Sequence, residues 1–342
     1  MKTSIVTANQ IVDKAHDDDD DDDEGIPTIL ILKTGVLVPP LRPKLGTYHQ
    51  VFCQFFQNGL KFDQEHQDHQ RHGSSSPERQ LRIISFNVME SECESIEYPS
   101  CNLLDRSQGL VITGSACNAF DDEPWINDLI KFCQTNLLTR VGNQEDFKPD
   151  DLDASKQNNL KIFGICFGHQ ILARSLGSVV DRNPNDWELG LTGIKLSSTI
   201  GLKIFPNSPS TLTEKREKDT HPNYQEGHIN LIECHRDIVF DLPHQCYPIG
   251  STSNSAIQGF IKFNNRSDPP ISHQDELFLR QISIICLQAH PEYTLEILSG
   301  IVEFKFKDHP KFNASILLKD KDDIENHDGI YVASRFMKIM GI

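Results

Sequence analysis

The chain has 342 residues, enough for one large α/β domain or two small ones. Its formal net charge is −16, and because nucleic acids and anionic membranes are both held by clustered positive charge, neither is expected as a partner. Nine cysteines with no C-x-x-C pair and no metal-finger spacing point to a reducing compartment, not to a disulfide framework.

Taken from the N-terminus, Asp17 to Asp23 are seven consecutive aspartates followed by Glu24, a block that repels itself and cannot bury surface. Residues 1–26 are therefore read as a disordered acidic arm, and residues 27–342 as one domain. The N-terminus lacks the long apolar segment of a secretory signal, and no run approaches the about 18 apolar residues of a membrane span, so a cytosolic protein is expected. Residues 29–32 form a buried strand candidate and 46–56 a first helix. The polar stretch 62–80 reads as a surface insertion. His66, His69 and His72 recur within it, but without an apolar face or supporting groups they do not make a metal site, and no metal is expected.

Residues 81–88 and 109–112 suit strands of a parallel sheet. The second of these runs into Thr113-Gly114-Ser115, and Pro124 opens a helix with Trp125, Leu129 and Phe132 on one face. The apolar stretch 160–165 then ends in Gly164-Ile165-Cys166-Phe167-Gly168, followed by helical spacing up to Gly177. Beyond it, 192–196, 202–205, 229–234 and 256–261 are short strand candidates without long helices between them, which predicts an antiparallel extension of the sheet. Residues 213–227 form a second polar insertion. A last buried strand, 282–287, leads into Gln288-Ala289-His290-Pro291-Glu292, and 295–306 and 330–340 carry helical periodicity. No Walker loop or G-x-G-x-x-G occurs, so no cofactor is expected.

Strand, tight turn, helix is the order of a nucleophile elbow, in which a strained central residue stands above the sheet and flanking glycines allow close approach. Cys166 holds that central place, where the following helix dipole favours a thiolate; the alternative is a buried structural thiol. In an extended segment His290 and Glu292 share a face, so the carboxylate can fix the imidazole's tautomer.

Gly164-Ile165-Cys166-Phe167-Gly168-His169-Gln170 together with His290-Pro291-Glu292 resembles the signature of the class I (triad) glutamine amidotransferase family. Thr113-Gly114-Ser115, where the family commonly has a Gly-Gly turn, Trp187-Glu188-Leu189-Gly190 and His235-Arg236-Asp237 extend the match. The likeness is strongest to the free-standing branch with plant γ-glutamyl peptidases and fungal amidotransferase-like proteins. It implies a single flavodoxin-like α/β domain with a mostly parallel central sheet, helices on both faces and an antiparallel extension. It also implies Cys166, His290 and Glu292 as catalytic residues and the N–H groups of Ser115 and Phe167 as an oxyanion hole. Gly114, Gln170 and His235 would bind substrate, although Gln170 reads equally well as a helix cap and His235 as a surface histidine.

Three functions compete at this stage. One is a free-standing hydrolase of γ-glutamyl compounds. Another is a glutaminase supplying ammonia to a synthase in trans, since the stretch after Glu292 is too short for a fused acceptor domain. The third is a silent scaffold, disfavoured because all three triad positions hold competent side chains.

Overall fold

The computed structural model describes residues 1–14, 25–68, 79–90, 95–142, 160–206, 208, 227–264, 275–312, 317–318 and 321–342. Its strands are, in chain order, β1 (Lys2–Thr7), β2 (Ile11–Lys14), β3 (Thr28–Lys33), β4 (Gln80–Asn87), β5 (Gly109–Ile112), β6 (Lys161–Ile165) and β7 (Val180–Arg182). They continue with β8 (Glu188–Leu196), β9 (His228–His235), β10 (Asp237–Val239), β11 (Cys246–Ser251), β12 (Gly259–Phe263) and β13 (Ile282–Leu287). The principal helices are α1 (Tyr48–Asp68), α2 (Pro124–Phe132), α3 (Phe167–Ser175), α4 (Leu295–Lys305) and α5 (Gly329–Met340).

Short, predominantly apolar runs decide the centre of the sheet. β3, β5, β6 and β13 are buried at every position, as strands covered by helices on both faces must be. Strands β4, β3, β5, β6 and β13 lie side by side in that order and all pair parallel. Successive residues of a strand point to opposite faces, so Phe163 packs with Phe52 and Phe56 of α1 and Phe336 of α5, while Ile162 packs with Leu129 of α2 and Ile171 of α3. Beyond β13 the order runs β12, β11, β8, β9, all antiparallel, which is the predicted extension.

The N-terminus departs from the sequence reading. Residues 2–14 form a hairpin, and β1 pairs antiparallel with β4 from Lys2↔Ser85 to Thr7↔Gln80. Disorder was inherited from the aspartate run, yet this stretch has its own strand pattern, with Ser4, Val6 and Thr7 buried. Ser4 Oγ lies 2.8 Å from His49 Nε2 and ties the hairpin to α1. The aspartates themselves lie outside the described residues, as do most of the two polar insertions, including His69 and His72.

Three further expectations are corrected. The first insertion begins later than expected, because α1 continues through Asp68. The strand candidate 202–205 is a helical turn, Gly201–Ile204, started by the Ser197 hydroxyl accepting from the Gly201 N–H at 2.9 Å. The candidate 256–261 becomes a strand only from Gly259, and β11, β7 and β10 had no strong apolar run to announce them.

Candidate active site

The register of β6 against β13 places the central pair of groups. Ile165 pairs with Leu287, and the Cys166 N–H donates to the Leu287 carbonyl at 2.9 Å, so the residues that follow both strands emerge at one edge. Cys166 adopts φ 51° and ψ −101°, a conformation L residues rarely hold, and α3 begins with the next residue. The turn closes because no side chain intervenes: a Cβ on Gly164 would come within 2.8 Å of the Gly168 backbone. The elbow is therefore formed as the sequence predicts.

From β13 the chain reaches His290, whose N–H donates to the Ile232 carbonyl of β9 at 2.8 Å. Its Nδ1 lies 2.8 Å from Glu292 Oε1, and since the carboxylate accepts, Nδ1 carries the proton and Nε2 is left as the basic nitrogen. Tyr293 stacks on the imidazole at 3.9 Å between ring centroids, and a Cβ on Gly114 would lie 2.6 Å from His290 Cε1. The ring is thus clamped between a tyrosine and a glycine loop. Alanine at position 114 would push it away.

Cys166, Phe167, Ser115, Gln170, His235 and His290 line one cleft at this edge of the sheet. Gly114 borders it through its contact with His290, and Glu292 stands behind the imidazole. Backbone N–H groups of Phe167 and Ser115 have no backbone acceptor among the described residues, whereas Gly168 donates to the Thr113 carbonyl at 3.1 Å. The Ser115 hydroxyl accepts from the Cys117 N–H at 3.1 Å and so shapes its own loop.

Burial reverses one expectation. It pushes the Cys166 thiol well above its usual range, with Cys234, Glu233 and Glu292 adding to the effect, while a hydrogen bond from Phe167 opposes it. The N-terminal dipole of α3 does not overcome this desolvation. Burial therefore works against a standing thiolate at this position.

Gln170 and His235 are also placed differently from their simplest readings. Gln170 Nε2 donates to the Asp237 carbonyl at 2.8 Å and to Gln288 Oε1 at 3.1 Å, leaving only its oxygen to face a ligand. His235 is buried, with Nε2 3.1 Å from Glu188 Oε2 and Nδ1 3.1 Å from the Asp237 carbonyl. Glu188 fixes this histidine and also accepts from Gln258 Nε2 at 2.6 Å. His169, in the elbow motif, is a buried ring whose pKa is lowered to about 3 by desolvation foremost, hence a neutral core group.

Four groups of the site escaped the sequence reading. Arg182 lines the cleft 3.0 Å from Asp237 Oδ1, Tyr293 stacks on His290, and Gln288 touches Cys166. Glu233, wholly buried, sits 3.4 Å from His235 Nε2. The available signal was period two: Gln288 precedes His290, and Glu233 precedes His235, by two residues, so each pair leaves the strand on one face. No pattern announced Arg182. The eight cysteines among the described residues are free thiols, and none of the described helices is long and apolar enough to cross a membrane.

Comparisons with known proteins bear on the family and the fold. The family model "Glutamine amidotransferase class-I" matches residues 143–306. Gamma-glutamyl peptidase 2 of Arabidopsis thaliana is 30% identical over 233 residues, covering 68% of this chain and 72% of that protein. A glutamine amidotransferase-like protein of Schizosaccharomyces pombe is 26% identical, covering 60% of this chain and 61% of its own length. The crystal structure of a Thermotoga maritima glutamine amidotransferase shares the fold with a TM-score of 0.54 at 15% identity, over 93% of this chain and 99% of that one. On the extent of the peptidase match and the shared family model, this chain belongs to the class-I glutamine amidotransferase family.

Proposed function

We propose that this protein hydrolyses the γ-glutamyl amide bond of glutamine or of a γ-glutamyl compound, through a γ-glutamyl thioester on Cys166. The observation that carries this reading is the convergence of Cys166 and the Glu292-held His290 on one cleft, beside the N–H groups of Ser115 and Phe167.

Sulfur attacks the amide carbon while His290 Nε2 takes the thiol proton, and the resulting oxyanion accepts from the Phe167 and Ser115 N–H groups. His290 passes the proton to the nitrogen, the C–N bond breaks, and ammonia or an amine leaves. Water then attacks the thioester as His290 removes its proton; the C–S bond breaks, the sulfur regains a proton, and the free acid departs. Glu292 steadies the imidazolium that exists between these transfers. Burial works against a thiolate at Cys166, so a proton acceptor beside it, His290 Nε2, matters for the attack.

A glutamyl moiety is a zwitterion at its α-carbon, and the cleft offers both charges. Arg182 suits the carboxylate, while Asp237 and the Gln170 oxygen suit the ammonium. The free thiols fit a cytosolic location, which is part of the same proposal.

The test is mass spectrometry of the purified protein incubated with glutamine, glutathione and γ-glutamyl dipeptides. Released glutamate and a Cys166 adduct with the mass of a γ-glutamyl group are expected. Activity of the isolated protein separates a free hydrolase from a glutaminase that waits for a synthase. No release and no adduct with any of the three substrate classes would overturn the hydrolase reading.

A further inference from the structure

Gln288 is wholly buried at the point where β13 leaves the sheet, beside the elbow. Its Nε2 lies 3.6 Å from Cys166 Sγ, within reach of an N–H to sulfur hydrogen bond. Which end of the amide faces the sulfur is decided two groups away. The Asp237 carbonyl can only accept, and the Gln170 side-chain atom 2.8 Å from it must therefore be nitrogen. That same nitrogen stands 3.1 Å from the Gln288 side chain, which must answer with its oxygen. The Gln288 nitrogen is then the atom turned toward Cys166. A backbone carbonyl sets the polarity of the whole chain of amides.

We propose that Gln288 is a catalytic residue, a fixed hydrogen-bond donor to the Cys166 sulfur, and that Gln170 is the positioning residue that fixes the donor's direction. The proposal rests on Cys166 being the nucleophile, as in the function proposed above.

The surroundings explain why such a donor is needed. Desolvation foremost, and the Glu292 carboxylate after β13, oppose negative charge on the sulfur, whereas the Phe167 N–H from α3 favours it; Glu233 and Cys234 on β9 face the same group. His290 from the segment after β13 lines the same cleft. Gln288 adds a donor that carries no charge and does not titrate. Its bond becomes charge-assisted as the sulfur gains negative character during attack and again as the thioester collapses, and charge-assisted bonds are roughly twice as strong as neutral ones. Desolvation and the Glu292 carboxylate make the same moment costly. Gln288 therefore acts on the reacting atom itself.

The registry of the network also explains why a donor as short as glutamine reaches. Leu287 pairs directly with Ile165, so Gln288 and Cys166 leave the sheet as neighbours, and α3 returns Gln170 one turn later over both.

The experiment is the pH dependence of iodoacetamide alkylation at Cys166 in the absence of any substrate, followed by peptide mass spectrometry. Gln288→Met keeps length and burial but removes the donor. It should move the alkylation midpoint upward by about 1–2 pH units, or slow alkylation at pH 8 by about ten-fold or more. Gln170→Met, which leaves the Gln288 amide unlocked, should move it in the same direction by less. In Gln288→Met, kcat should change more than KM, because this donor acts on the sulfur and not on the bound substrate. A residue that only packs would leave the midpoint where it is. An unchanged midpoint in a folded Gln288→Met variant overturns the proposal, and if that variant does not fold, an unchanged midpoint in Gln170→Met does so. Alkylation needs no γ-glutamyl compound. A shifted midpoint in a protein that hydrolyses none of the tested substrates would support the donor while removing the proposed function.

Discussion

The parallel centre and the antiparallel extension of the sheet both deliver polar side chains to the cleft, but by different means. β6 and β13 are buried at every position and deliver Cys166, Gln288 and His290 only after their last paired residues, where each group meets a defined partner. β8 and β9 instead carry ionisable groups inside the ladder: Glu188 pairs directly across from His235, and Glu233 lies two residues away, 3.4 Å from His235 Nε2 and without a hydrogen bond to either carboxylate oxygen. Strand ends can place reactive groups without burying unpaired charge. A cluster within the ladder cannot, and it holds one acid whose pKa burial and the Glu188 charge drive well above the carboxylate range.

The largest effect should come from the strand end itself. Cys166→Ala is expected to abolish turnover while circular dichroism and melting temperature stay near wild type, since little buried volume is lost. A glutamine-mimicking diazo-ketone should add once, at Cys166. Labelling at Cys117 or Cys286 instead would remove the elbow from the mechanism.

Next comes the base. His290→Ala should cost about 10²–10⁴-fold in kcat, the usual worth of positioned proton transfer, and Glu292→Gln distinctly less, because the imidazole keeps its clamp between Tyr293 and Gly114. Equal rates for both variants and wild type would break the assignment of chemistry to this end of the sheet.

Ser115→Pro removes one N–H and should lower the rate by about 10²–10³-fold, whereas Ser115→Ala should stay near wild type. The hydroxyl is engaged with the Cys117 N–H, so its loss touches loop shape only. Thiol labelling at Cys166 checks that the proline variant retains the site. Should alanine prove as damaging as proline, the hydroxyl would be the working group.

The edge hairpin gives a smaller, purely structural effect. Deleting residues 1–14 uncovers the β4 edge and the buried Ser4 contact with His49, lowering the melting temperature by about 2–4 °C for each kcal/mol lost. Calorimetry of the truncated protein measures it. An unchanged melting temperature would mean that the hairpin contributes nothing to the sheet.

Smallest of all is the pH effect that sets the extension apart. Glu233 has a raised carboxyl pKa, so between its unfolded and folded values the native state binds more protons than the unfolded state, and its contribution to stability falls as pH rises through that window. Glu233→Gln should therefore melt at or above wild type at pH 8, with the advantage shrinking toward pH 5. A constant difference across that range would show that Glu233 does not titrate with folding.

Sequence alone determined the groups whose meaning is local. The glycines around Cys166 specify a turn that few other residues permit, and the predominantly apolar runs at 29–32, 109–112, 160–165 and 282–287 specify strands covered on both faces. His290 and Glu292 meet because alternate residues of an extended segment share a face. Tertiary structure alone decided the rest. The N-terminal hairpin is held because β4 offers it an open edge, a partner that the strand pattern of residues 2–14 could not by itself identify. The height of the Cys166 pKa depends on burial beside Glu233 and Glu292, groups that lie far from it in the chain. The polarity of the amide chain from Asp237 through Gln170 and Gln288 to Cys166 follows from hydrogen-bond donors and acceptors contributed by three separate segments. Periodicity and turn chemistry act over a few residues, whereas desolvation and hydrogen-bond direction belong to a site only after distant segments have closed around it.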